Sequence, residues 1–411
     1  MKAKRLFWIG LCALMVAPML ALRAWQAAPA RSQGAGPSPA AKPASKPVEV
    51  KPAGFNIAPV TNVADPFPTW NGVAVDSTNN MVMFSDLNRH GLFIYDRMAQ
   101  SKGDEVTPPL KHITGNKTGM GFVAGLQFDP AKRVAYIAEN DGWGLRTFSY
   151  DQDGNVEPKN LLATPHQVWG IALNTQRKEM LVGVEELHTI MVWKQDASQL
   201  DKPLRIIRGP HTGLADPHGL YMDSVHNEIL VANHGNWSTF HPNTDHDTPP
   251  PQIPISPGHF EQPSISFYPI LGNGDIKPAR VIQGDKTTLD WPMQLDVDLT
   301  HNEIAVADFG QDSVIVFDRA AQGNVAPVRV LKGEHTGING PVGVAIDAKN
   351  DEIWVANYGD HTAVVFPRTA SGDVVPKRII RNAPKTAETC GFTNASSATY
   401  DSKREQVLVA N

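Results

Sequence analysis

Short runs in which apolar and polar side chains alternate recur along most of the chain: GVAVD (72–76), GLQFD (125–129), GIALN (170–174), GLYMD (219–223), QLDVD (294–298), GVAID (343–347) and SATYD (397–401). A period of two predicts a strand with one face buried. Each run ends on Asp or, once, Asn. Ten residues further on stand Asp86, Glu139, Val184, Asn233, Asp308, Asn357 and Asn411. A polar turn such as SVHN or LTHN and a second apolar run such as EILVAN fill the interval. A third run follows (GLFIYD, TIMVWK, SVIVFD, AVVFP), then a Gly or Pro turn and a fourth (PLRIIRG, PARVIQG, PVRVLKG, PKRIIRN). No helical spacing of 3.6 accompanies them.

Four antiparallel strands in units of about 50 residues, punctuated by turn residues, predict an all-β fold, the β-propeller. Phrases such as GVAIDAKNDEIWVANYGDHTAVVF resemble NHL- and YVTN-type propeller repeats, over roughly residues 50–411. That resemblance implies the fold and leaves the activity open, since such propellers serve as scaffolds, lyases and lactonases alike. Seven starts predict seven blades, with six as the alternative. The seventh unit ends after its second strand at Asn411, while VKPAGFNI (50–57) resembles a fourth strand. The expectation is therefore one blade shared between the termini, in a chain truncated at its C-terminus. Sharing a blade would remove open sheet edges.

The N-terminus reads differently. MKAKR, an apolar run of 17 residues and the small residues of AAPA form an export signal over residues 1–30; left uncleaved, it would be a membrane anchor. Residues 31–46 are a Pro/Ala/Ser-rich linker and 47–411 the propeller. The protein is thus expected outside the cytoplasm, in a periplasm or the extracellular space. The formal charge of −5 becomes −9 once Lys2, Lys4, Arg5 and Arg23 leave with the signal, which argues against a nucleic-acid partner. Of the two cysteines only Cys390 remains in a cleaved chain, so no disulfide within it holds the fold.

Antiparallel strands alternate in direction, so the loops joining strands two and three share a face with those joining strand four to the next strand one. Trp70, Trp143, Trp169, Trp237 and Trp291 belong to this face, with His166, His218, His234, Glu139, Asp216, Glu185 and Asp308. The terminal Asp and Asn marks are separated by 53, 45, 49, 75, 49 and 54 residues, so the fourth unit carries an insertion at about 238–262 above the same face. Single-face insertions in repeat folds often mark binding.

Recurring residues are expected to serve recurring turns, and this covers the Asp and Asn marks and the matching HTG turns of His211 and His335. Departures from the repeat carry more information. His218 stands just before the strand-one glycine, where the other units have Asn71, Ala124, Trp169, Met293, Val342 and Ser396. The candidate ligand-binding residues are His166, Trp169, His218, His234, Trp237, Trp291 and Glu139, with His218 the candidate catalytic base. His166, His218, His234 and Asp308 are the candidate ligands of a divalent metal, Zn²⁺ through imidazole or Ca²⁺ through oxygen donors. A polar small molecule, a glycan or a protein is the expected partner. A metal- or His-dependent lyase or lactonase at the same mouth is the alternative.

Overall fold

The alternating runs fold as strands, and in each unit the four pair in sequence order. The computed structural model describes residues 65–142, 144–237, 259–387, 397–401, 403 and 406–410, which all belong to the unit running from Val63 to Asn411. The predicted signal, the linker and the strand expected at 50–57 lie outside the described residues. Among the described residues, six four-stranded antiparallel sheets form the blades of a β-propeller. Their innermost strands are Trp70–Asp76, Val123–Asp129, Val168–Asn174, Pro217–Asp223, Pro292–Asp298 and Pro341–Asp347. The expectation of seven blades gives way to six.

The closure shows why. Trp70 stacks on Phe84 at 4.2 Å between ring centroids. Both lie with Val73 in one core cluster with Trp354, Ala356 and Val365 of the sixth blade. Blades one and six therefore share a core directly, and no space remains between them for a seventh sheet. A charged contact repeats the message at the opposite face. Arg319 of blade five reaches Glu228 of blade four at 2.8 Å, and Arg368 of blade six reaches Glu303 of blade five at 2.8 Å. Arg97 of blade one reaches Glu352 of blade six at 3.0 Å. The seventh repeat forms a separate two-stranded sheet, Ser397–Asp401 paired with Gln406–Ala410, with Asp401 opposite Gln406. That is the register of Asp76 opposite Met81 in blade one.

Turn residues behave as the repeat predicts. Asp76 Oδ1 accepts the amides of Thr78 and Asn79, and Asp223 and Asp298 do the same in their own turns. His211 and His335 hold Asp275 and Asp373 of the following blades at 2.6 and 2.7 Å, so the HTG turns link blades. The second-strand marks clip the preceding loop. Asp86 accepts the Thr69 amide, Glu139 that of Gly121, Asn233 that of Ala215, Asp308 that of Asp290 and Asn357 that of Asn339.

The strand-one glycines have a packing reason. A Cβ on Gly170 would lie 1.8 Å from the carbonyl oxygen of His218, and one on Gly219 2.4 Å from that of Met293. Neighbouring inner strands approach too closely for a side chain there. Blade five departs, carrying Gln294 at this position. Its amide reaches across the axis to the Val73 carbonyl at 3.3 Å, skipping blade six.

Candidate functional site

Every blade carries a β-bulge near the start of its inner strand, for instance between Pro217 and Leu220 and between Pro292 and Leu295. A bulge re-aims the side chain it contains. In blade four that residue is His218, which lines the axial cavity with Asn71, Ala124, Trp169 and Val342, its counterparts in other blades. Two residues earlier the backbone turns left-handed at Gln167, Asp216, Trp291 and Gly340, with φ of 63°, 59°, 60° and 55°. For a side chain as large as Trp291 this conformation is costly, and such strain concentrates at functional sites.

These bulges, with the residues following the second-strand marks, bring the rings together. Phe122, Trp169, His218, His234, Trp291, Phe309 and Tyr358 form an unbroken arc over blades two to six, with successive centroids 5.5, 4.6, 3.4, 5.6, 6.0 and 6.3 Å apart. The two histidines at its centre are nearly parallel, with 16° between their planes. Trp169 and Trp291 stand half-buried on either side. A second stack, His188–Trp237–His259, has spacings of 5.6 and 4.8 Å. It stands at the foot of the insertion, where Asn236–Trp237 pairs with His259–Phe260. Residues 238–258 lie outside the described residues, as does Trp143.

Acidic groups enclose the central pair. His218 places Nδ1 3.4 Å from Asp216 Oδ1 and Nε2 3.5 Å from Glu185 Oε1. His234 places Nδ1 3.4 Å from Asp216 Oδ2 and Nε2 2.8 Å from the Met293 sulfur. Both imidazoles are buried. Burial and the neighbouring His234 push His218 down to about 3, so at neutral pH it is uncharged. Burial, then the charges of Asp216, Glu186 and Asp141, push Glu185 well above the usual carboxylate range. Burial works against the charge on Asp216 too, but there the two histidines and Asn236 prevail and hold the carboxyl below its ordinary value.

His218, His234, Trp169 and Trp291 thus come together, and His166 does not join them. It faces Asp141, 3.7 Å away. Glu139 and Asp308 are the loop clips described above. Trp70 is wholly interior. The grouping drew in Asp216, Glu185, Met293, Phe122, Phe309 and Tyr358, none of them among the candidate ligands. A periodic signal marks all of them but Met293, which stands at the position of His218 in its own blade. Glu185, His234, Phe309 and Tyr358 each directly follow a second-strand mark, and Phe122, Asp216 and Trp291 each stand three residues before the strand-one glycine position.

No protein-family model and no curated protein matches the sequence. The chain is similar to the solved "Crystal structure of Nidogen/Laminin Complex", with a TM-score of 0.49 and 15% identity, covering 79% of this chain and 94% of that one. It is also similar to the "Crystal structure of WD40 beta propeller domain of Doa1", with a TM-score of 0.47 and 11% identity, covering 84% and 89%. The propeller fold commonly mediates binding or scaffolding.

Proposed function

We propose that this protein is an exported binding propeller of the NHL/YVTN kind, whose ligand seats on the aromatic arc around one end of the axis. The carrying observation is the unbroken run from Phe122 to Tyr358 with carboxylates at its centre. Half-buried indole faces offer apolar area and N–H donors, while Glu185, Glu186, Asp141 and Asp216 accept hydrogen bonds. A sugar ring has the matching chemistry, with C–H faces for the indoles and hydroxyls for the carboxyls. Export is supported by the N-terminal sequence, and the acidic balance disfavours nucleic acid.

Saturation-transfer NMR and tryptophan fluorescence with a panel of neutral and amino oligosaccharides test this reading. Binding that quenches fluorescence and is lost in Trp169→Ala is expected. If no sugar binds, or binding survives in Trp169→Ala and Trp291→Ala alike, the reading fails.

The lyase or lactonase reading draws on one specific contact. His218 stands between two carboxyl groups in the position of a general base, and the burial that pushes it down to about 3 weakens it in that role. Lactone opening lost in His218→Ala would favour it over binding alone.

A further inference from the structure

The central cluster gathers metal-ligand atoms on one buried carboxylate. Nδ1 of His218 lies 3.1 Å from the Asp216 carbonyl and 3.4 Å from its carboxylate, and Nε2 lies 3.5 Å from Glu185. Nδ1 of His234 lies 3.4 Å from Asp216 Oδ2. Both imidazoles are buried, and their Nδ1 atoms are turned to the two oxygens of Asp216.

The spacing is that of a metal's coordination shell. Donors at about 2.0–2.1 Å around a tetrahedral Zn²⁺ are about 3.3 Å from one another. Each Nδ1 here lies 3.4 Å from one oxygen of Asp216. One donor atom from each of Asp216, His218 and His234 can be chosen so that all lie within 4.8 Å of one another, and no other described residues form such a group. Outer partners are present as well. Glu185 faces the far nitrogen of His218, Met293 that of His234, and Asn236 Nδ2 donates to Asp216 Oδ2 at 3.0 Å. Contacts of this kind orient metal ligands and raise their basicity.

We propose that Asp216, His218 and His234 form a binding site for a divalent transition metal of the zinc type, held through one nitrogen of each imidazole and the Asp216 carboxylate, the two stacked rings turning out of parallel to aim both lone pairs at the ion. Three protein donors leave a tetrahedral ion one position for water or for a ligand's polar group, the pattern of reactive rather than purely structural zinc. The set differs from the one expected from sequence: Asp216 replaces both His166 and Asp308. The inference stands apart from the sugar reading, since it concerns the ion alone.

The test loads metal-stripped full-length chain with Zn²⁺, removes excess by dialysis, and counts the metal by mass spectrometry. One equivalent is expected in the wild type and in His166→Ala, on the same face but outside the cluster. Asp216→Asn, which suits the left-handed backbone, and His234→Ala should each weaken binding by more than about 100-fold, and Glu185→Gln by about 10- to 100-fold. Because these side chains are buried, a variant that unfolds gives way to a wild-type measurement: X-ray absorption of the loaded protein should show two imidazoles and carboxylate oxygen. A wild type that keeps no Zn²⁺, an equivalent retained in Asp216→Asn and His234→Ala alike, or a spectrum without two imidazoles overturns the proposal.

Discussion

Ser101 Oγ accepts the backbone amide of Arg381 at 2.8 Å, and Ser101 N donates to the carbonyl of Ile379 at 2.9 Å. At the other five junctions a loop carbonyl takes the place of that hydroxyl: Gly154, Gln199, Gly274, Gly323 and Gly372 accept from the end of the fourth strand of the preceding blade or the residue directly after it. The hydroxyl thus completes at the last junction a ladder that main chain builds elsewhere. Ser101→Ala would leave the partly buried N–H of Arg381 without its acceptor, a loss of about 0.5–1.5 kcal/mol. Urea unfolding checks this; a variant as stable as wild type would mean that this hydrogen bond contributes nothing to closure.

Arg97, Arg319 and Arg368 each bind a glutamate of the preceding blade from an 11, 11 and 9% exposed side chain. If six is the closed number, the junction between blades six and one is equivalent to the others. Arg97→Ala should then destabilise the fold about as much as Arg319→Ala or Arg368→Ala, by roughly 1–3 kcal/mol for a lost charged hydrogen bond, since Glu352, Glu228 and Glu303 each keep a second arginine. Thermal melts of the three variants decide; an Arg97→Ala effect near zero beside large losses in the others would reopen the ring.

Burial pushes the Asp86 carboxyl up to about 7 from an ordinary 3.8. Between those values the folded chain holds a proton that the unfolded chain has released. The contribution is present below about 3.8 and is lost as pH rises through 7. Asn occupies the equivalent place as Asn233 and Asn357 and keeps the loop clip. Asp86→Asn should therefore flatten the fall in stability from pH 5 to 8, by about 1.4 kcal/mol for each unit of displacement. Denaturant titrations at several pH values test this, and a parallel slope in the variant would refute it.

The tryptophans divide into core and rim. Trp354 is fully buried, so Trp354→Ala should cost about 3–5 kcal/mol. Trp291 is half-buried on a left-handed backbone, where the next blade has Gly340. Trp291→Gly exchanges lost packing for relief of about 1–3 kcal/mol of strain and should leave stability within about 1 kcal/mol of wild type. Ligand quenching of fluorescence would fall in this variant. A large destabilisation would show that Trp291 serves packing first.

The blades were legible because a period-two pattern and a ten-residue offset are local, and each strand pairs with its chain neighbour. Closure was not, because it depends on contacts between the chain's distant ends. Seven starts, counted by repetition, cannot reveal that Trp70 shares a core with Trp354 or that Arg97 meets Glu352. His218 was found because it breaks the repeat, whereas Asp216 was passed over because Asp is so common at the turns of this chain. His166 shares the face, but facing is coarser than touching, and only the bulge geometry separates it from His218.

Gln294 stands where five blades have glycine, and it lines both the cavity beneath the aromatic arc and the one on the far side, which also contains Asp296. One amide therefore stands between the two recesses. For a ligand seated among the indoles as proposed, the Gln294 side chain is the floor of the seat.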